Sequence, residues 1–124
     1  MKFSLLFLFF IASVAARAQS GKVEQLPAGI YEISKLAAQE KLASGQIILL
    51  DDSHYKLRNE PGVSDYKFSA TAQRILFLSG PLKGAYAKTV VNGGAPAIVL
   101  PRKENEELGL KLANADVWAY YKKQ

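Results

Sequence analysis

The 124-residue chain contains no cysteine, one histidine and one tryptophan, with 16 Lys and Arg against 11 Asp and Glu. The missing cysteine excludes disulfides, thiolate zinc sites, iron–sulfur clusters and cysteine nucleophiles together, and a lone histidine leaves no second imidazole for a strong zinc site. The net charge of +5 is spread along the chain, which favours solubility and gives no basic footprint for nucleic acid.

The chain begins with Lys2, an apolar run from Phe3 to Val14, and Ala16-Arg17-Ala18, the layout of a secretory signal peptide with its cleavage site. An apolar run of about a dozen residues is short of the roughly 20 that span a bilayer. No cysteine follows it to carry a lipid. Residues 1–18 are therefore expected to be removed on export, giving a periplasmic or secreted product with no transmembrane segment. Lys2 and Arg17 leave with the leader, so 14 cations face 11 acids in a mature chain of 106 residues, a net charge of +3. That length suits one domain with its own core. The aromatic content left behind is mostly tyrosine.

Residues 19–28 are expected to form a flexible lead ending near Pro27, with a single β domain over 29–122. Gly29 to Ser34 alternates and predicts a strand. "SKLAAQEKLAS", Ser34 to Ser44, is rich in helix formers between a capping serine and Gly45, and predicts a short helix, with a longer first strand as the alternative. Ile47–Leu50, "DDS" and His54–Arg58 predict a β-hairpin. "NEPG" at 59–62 is a turn signal, and Asp65–Phe68 and Arg74–Leu78 alternate as further strands. "FLSGPLKGAYAKTV", Phe77 to Val90, predicts a corner leading into a strand over Ala85–Val91. Asn92-Gly93-Gly94 predicts a tight hairpin turn before a strand over Ala97–Leu100. "RKENEE" at 102–107 predicts an exposed charged loop. The alternation of Leu108, Leu110 and Leu112 predicts a strand, and Val117–Tyr121 the last one. About seven to nine short strands with frequent turn signals specify an all-β fold: a small antiparallel up-and-down barrel or a sandwich. Barrel closure would pair the end strands and bring Tyr31 beside Trp118.

Several of these features occur in one order: Gly29-Ile30-Tyr31, Gly45 with Ile47 to Asp51, Tyr55, Tyr66 with Phe68, Ser79-Gly80-Pro81-Leu82-Lys83-Gly84, and Trp118. In this the chain resembles small exported bacterial domains with a calycin- or lipocalin-like barrel, over roughly residues 29–121. The Gly-Pro-Leu-x-Gly turn is the distinctive part. The resemblance implies an up-and-down β-barrel and no particular activity. Such domains often carry a cysteine pair at the positions occupied here by Ile33 and Tyr120, so the resemblance implies paired end strands without the disulfide.

Three features bear on chemistry. The glycines and Lys88-Thr89 of Phe77–Val90 suggest a phosphate loop, but Gly80 and Gly84 are four apart, Lys88 does not follow the second glycine, and Pro81 has no N–H to donate. A structural turn is the expected role. Asp51-Asp52-Ser53-His54 holds the residue types of a hydrolytic triad or a weak metal site, yet neighbours in a turn diverge, and the spacing matches no EF-hand. No catalytic residue, metal ligand or cofactor site is assigned. Tyr31, Tyr55, Tyr66, Tyr86, Trp118 and Tyr120 fall roughly one per strand. On a shared inner face they would form a packed core or line an amphipathic pocket. The expected function is a non-enzymatic secreted binding or interaction module for a small apolar ligand or a cell-envelope protein. The alternative is a hydrolytic or metal-dependent envelope enzyme using the Asp51–His54 turn.

Overall fold

The computed structural model describes residues 21–33, 42 and 45–122. The leader 1–18 and the helix expected over 34–44 lie outside the described residues, apart from Leu42, which is buried in the core. Eight antiparallel strands close into a barrel in sequence order: β1 (Gly29–Ile33), β2 (Gln46–Leu49), β3 (His54–Leu57), β4 (Ser64–Ser69), β5 (Arg74–Phe77), β6 (Tyr86–Asn92), β7 (Ala95–Leu100) and β8 (Val117–Lys122). The sandwich alternative is thereby set aside.

Closure is made by β1 pairing with β8, from Ile30 opposite Lys122 to Ile33 opposite Ala119, so none of the eight described strands is an edge strand. Tyr31 lies opposite Tyr121, with ring centroids 5.2 Å apart. Trp118, expected beside Tyr31, is instead of opposite parity in β8 and faces outward opposite Val99 of β7.

Period-two alternation sets the inner face. Tyr31, Ile33, Ile47, Leu49, Tyr55, Leu57, Tyr66, Ile75, Phe77, Ile98 and Leu100 point inward and are buried in one cluster. Each buried aliphatic side chain of this kind contributes about 1.5–3 kcal/mol relative to exposure. Between β6 and β7, Gly93 and Gly94 both take positive φ, +60° and +81°. This is the two-residue turn whose twist matches a hairpin, and the glycines are there because side chains resist that conformation.

Among the described residues, apolar side chains pack at both ends. At the base, Val23 is buried and Leu26 packs against the core. The Gln73 side-chain amide holds this segment at two points: Oε1 accepts from the Val23 N–H at 2.8 Å, and Nε2 donates to the Val23 carbonyl at 2.8 Å. Of residues 19–28, read from sequence as a flexible lead, the described ones thus include Val23, tied to Gln73, and Leu26, packed against the core. At the opposite end Leu82, Leu112 and Ala113 are buried.

Residues 102–107 differ from the expected loop. They form a helix, α1 (Arg102–Glu107), with an Arg102–Glu106 ion pair at 2.9 Å one turn apart. Asp116 accepts from the Arg102 N–H at 2.8 Å, supplying a cap from a distant loop. The strand expected over Leu108–Leu112 is also absent. Gly109, at φ +83°, donates to the Glu106 carbonyl, and Leu110 donates to the Asn105 carbonyl. These two bonds form the Schellman closure of α1, so the leucine alternation spans a helix stop.

Candidate functional site

The six aromatic residues singled out from sequence separate into two groups. Tyr31, Tyr55 and Tyr66 are buried on the inner face. Each hydroxyl already donates to a backbone carbonyl: Tyr31 to Pro27 at 2.7 Å, Tyr55 to Ser79 at 2.7 Å and Tyr66 to Asp51 at 2.6 Å. The Tyr55 ring packs edge-on against Tyr66 and Phe77, with centroids 6.5 Å and 4.8 Å away. Burial pushes all three phenols upward, Tyr66 to about 12 with the Asp51 and Asp52 charges adding to the effect. They therefore act as neutral donors that tie the barrel wall to its end segments.

Tyr86, Trp118 and Tyr120 do not join them. Strand register turns all three outward, Tyr86 opposite Leu76, Trp118 opposite Val99 and Tyr120 opposite Ala97 and Glu32. The Trp118 and Tyr120 rings are nearly parallel, with centroids 6.0 Å apart and planes 20° apart. Ala97 and Val99, the cross-strand partners of Tyr120 and Trp118, are buried although they face outward.

The Asp51–His54 turn is a compact hydrogen-bonded unit. Asp51 Oδ1 accepts from the backbone N–H groups of Ser53 at 2.9 Å and His54 at 2.8 Å, and His54 Nδ1 lies 2.9 Å from both carboxylate oxygens. His54 Nε2 is 3.6 Å from Asp65 Oδ1. The backbone N–H of Ser53 and the His54 imidazole hold the Asp51 carboxyl below its ordinary range, and Asp51 with Asp65 raises the histidine. Ser53 Oγ sits 3.1 Å from Nδ1, the nitrogen that also meets Asp51. A hydrolytic relay needs the hydroxyl on one ring nitrogen and the carboxylate on the other. Here both crowd Nδ1, and the far nitrogen faces a second carboxylate. Among the described residues no group of three His, Asp or Glu is placed to hold a metal ion together.

The Phe77–Val90 segment is a plug. Gly80 and Gly84 take positive φ, +82° and +80°, and a Cβ at Gly80 would collide with the Ser64 side chain. The backbone N–H groups of Lys83, Gly84 and Ala85 donate to Gly80, Phe77 and Leu82 carbonyls. The Leu82 N–H donates to the Tyr55 hydroxyl at 3.0 Å. A phosphate loop needs successive N–H groups free to converge on an anion; here they are spent on the turn itself.

Open depressions lie outside the packed interior. A groove of about 700 Å³ at the base is bordered by Glu24, Leu26, Asp52, Tyr66, Phe68 and Leu78. A second, of about 480 Å³, lies between Lys22 and Pro96. A third, of about 320 Å³, adjoins the outer aromatics between Glu32, Tyr120 and Lys122. Beside those aromatics are Arg74, which sequence reading did not single out, and Lys88, which it weighed only as part of a phosphate loop. The Arg74 guanidinium lies 4.4 Å from the Tyr86 ring centroid, and Lys88 is the direct cross-strand partner of Arg74. They are fourteen positions apart, so only the β5–β6 register could reveal them as neighbours. Among the described residues no helix is long and apolar enough to cross a membrane. Comparison of the chain with family models, curated proteins and solved structures finds no match.

Proposed function

We propose that this protein is an exported, non-enzymatic binding module that meets its partner in the cell envelope with the outside of the barrel. The observation that carries this reading is the state of the interior. Tyr31, Tyr55 and Tyr66 occupy the barrel axis, and their hydroxyls are committed to backbone carbonyls. A small apolar ligand inside would have to displace packed side chains, at a cost of several kcal/mol for each aromatic moved. The outer face instead offers aromatic rings beside charges without such commitments. The export part rests on the Lys2–Ala18 leader pattern. The Asp51–His54 geometry gives the hydrolytic alternative no support, because serine and aspartate compete for one imidazole nitrogen.

Intact mass measurement on protein recovered from the envelope fraction tests export: the expected species lacks residues 1–18, and a full-length cytoplasmic species would overturn it. Titration with a fatty acid and with a fluorescent apolar dye tests the interior. Neither should raise the melting temperature, since a ligand bound only by the native state must stabilise it. A saturable rise would return the ligand to the inside of the barrel.

A further inference from the structure

The register of four consecutive strands places Arg74, Lys88, Val99 and Trp118 in one row across the outer face of β5 to β8. Two cations stand at one end of this row. Like charges directly opposite in a sheet repel and destabilise the pair. Neither cation forms an ion pair with a described residue; the pairs present join His54 to Asp51 and Asp65, Arg102 to Glu106 and Lys122 to Glu32. The Arg74 guanidinium carbon lies 4.4 Å from the Tyr86 ring centroid, and Nε is buried with no hydrogen-bond partner. This cation–π contact restrains the guanidinium, so less freedom is lost when an oxyanion binds its terminal nitrogens.

The other end of the row is aromatic. Trp118 stands two strand spacings from Lys88, about 10 Å, and stacks with Tyr120. Beyond Tyr120 is the open depression of about 320 Å³, where Glu32 and Lys122 are joined at 2.9 Å. The surface thus offers a place for negative charge and, about two strand spacings away, a ring platform and then a neutralised polar pair.

We infer that the β5–β8 outer face binds an acidic oligosaccharide, with a carboxylate or phosphate on Arg74 and Lys88 and a sugar ring packed on the Trp118–Tyr120 pair. A pyranose ring has a C–H face that lies on an aromatic ring and hydroxyls at its rim for groups such as Glu32 and Lys122. A single-stranded nucleic acid would need cations tracking every phosphate, whereas the carboxylate of Glu32 lies beside Tyr120 at the aromatic end. The inference rests on the outer-face reading above and is independent of export.

Trp118 is the chain's only tryptophan, so its emission reports on this surface directly. The test titrates the mature protein with a linear galacturonate tetramer, with cellotetraose as the neutral counterpart, and with oligothymidylate and phosphatidylglycerol vesicles. The acidic tetramer should give a saturable emission change that weakens as salt rises, with cellotetraose about tenfold weaker, the scale of one charge-assisted contact. Arg74→Gln and Lys88→Gln should each reduce affinity about tenfold, while Arg102→Gln, a cation outside the row, leaves it unchanged. Lys88 is solvent-exposed, so its variant keeps the fold and the test stands even where Arg74→Gln loosens packing. Absence of saturable binding, equal affinity for both tetramers, indifference to Lys88→Gln, or tighter binding of oligothymidylate or vesicles would each overturn the proposal. These outcomes leave the mass of the exported species and the apolar-ligand melts untouched, so failure here is distinguishable from failure of the broader reading.

Discussion

The two aromatic groups of this barrel have similar side chains and opposite fates. Tyr55 sits on the inside with its hydroxyl shared between the Ser79 carbonyl and the Leu82 N–H, fastening a turn over the barrel end. Tyr120 sits on the outside, 41% exposed, with its ring against Trp118 and no such bond among the described residues. Tyrosine suits both places because it joins an apolar ring to a polar tip. What separates the roles is whether the tip has been claimed by the fold. A tyrosine whose hydroxyl holds backbone in place is a structural fastener; one whose ring and hydroxyl remain open is available to a partner.

Substitutions should expose this division. The largest effect is expected for Tyr55→Ala, which removes a buried ring and both hydrogen bonds at once. It should cost about 3–5 kcal/mol, read as a fall in the urea midpoint. The same truncation at Tyr120 should cost less than about 1 kcal/mol, in the range of substitutions at exposed positions. Comparable losses at the two sites would erase the distinction drawn here.

Tyr55→Phe sharpens the comparison by keeping the ring. It leaves the Leu82 N–H and the Ser79 carbonyl without their partner, and should cost about 1–3 kcal/mol. Gln73→Ala tests the opposite end of the barrel. Loss of the two-point hold on Val23 should cost about 1–2 kcal/mol and speed hydrogen exchange at the Val23 amide ahead of the strands. An unchanged exchange rate would mean that the segment is held by the packing of Leu26 and Val23 alone.

The smallest effect is expected at the exposed turn, through pH. Asp51 and Asp65 raise the His54 imidazole in the folded protein. Its contribution to stability is therefore complete below the ordinary histidine range, and is lost as pH rises through the raised folded value. Asp51 is depressed, so its contribution is present above the ordinary carboxylate range and is lost as pH falls through the lowered value. The wild-type protein should lose a little stability on going from mildly acidic to mildly alkaline pH, and His54→Gln should flatten that slope. A slope unchanged by the substitution would show that the pair contributes nothing measurable, as many exposed pairs do.

Much of the architecture was legible in the chain. Alternation from Asp65 to Phe68 and the Gly93-Gly94 turn marked strands and a hairpin that the barrel contains. Gly80 and Gly84 with Pro81 marked a corner. Two stretches misled for definable reasons. "RKENEE" lacks an apolar face and a local capping side chain, and its helix depends on Asp116 for a cap and on buried Asn105, whose amide accepts from the Tyr86 N–H at 2.7 Å. The leucines of 108–112 alternate across a Schellman turn, where Gly109 reverses the chain.

By itself, the sequence determined the all-β class, several turn positions and the lack of cysteine chemistry, because propensity, glycine conformation and composition are local properties. Only the tertiary structure decided which aromatics are fasteners and which are open. Alternation marks two faces of a strand without saying which is inside, and β7, apolar from Ala97 to Leu100, gives no alternation at all. The phase of each strand is set by closure of β1 onto β8, a pairing between residues about ninety positions apart. The same closure carries Arg74, Lys88 and Trp118 into one row, which no spacing along the chain records.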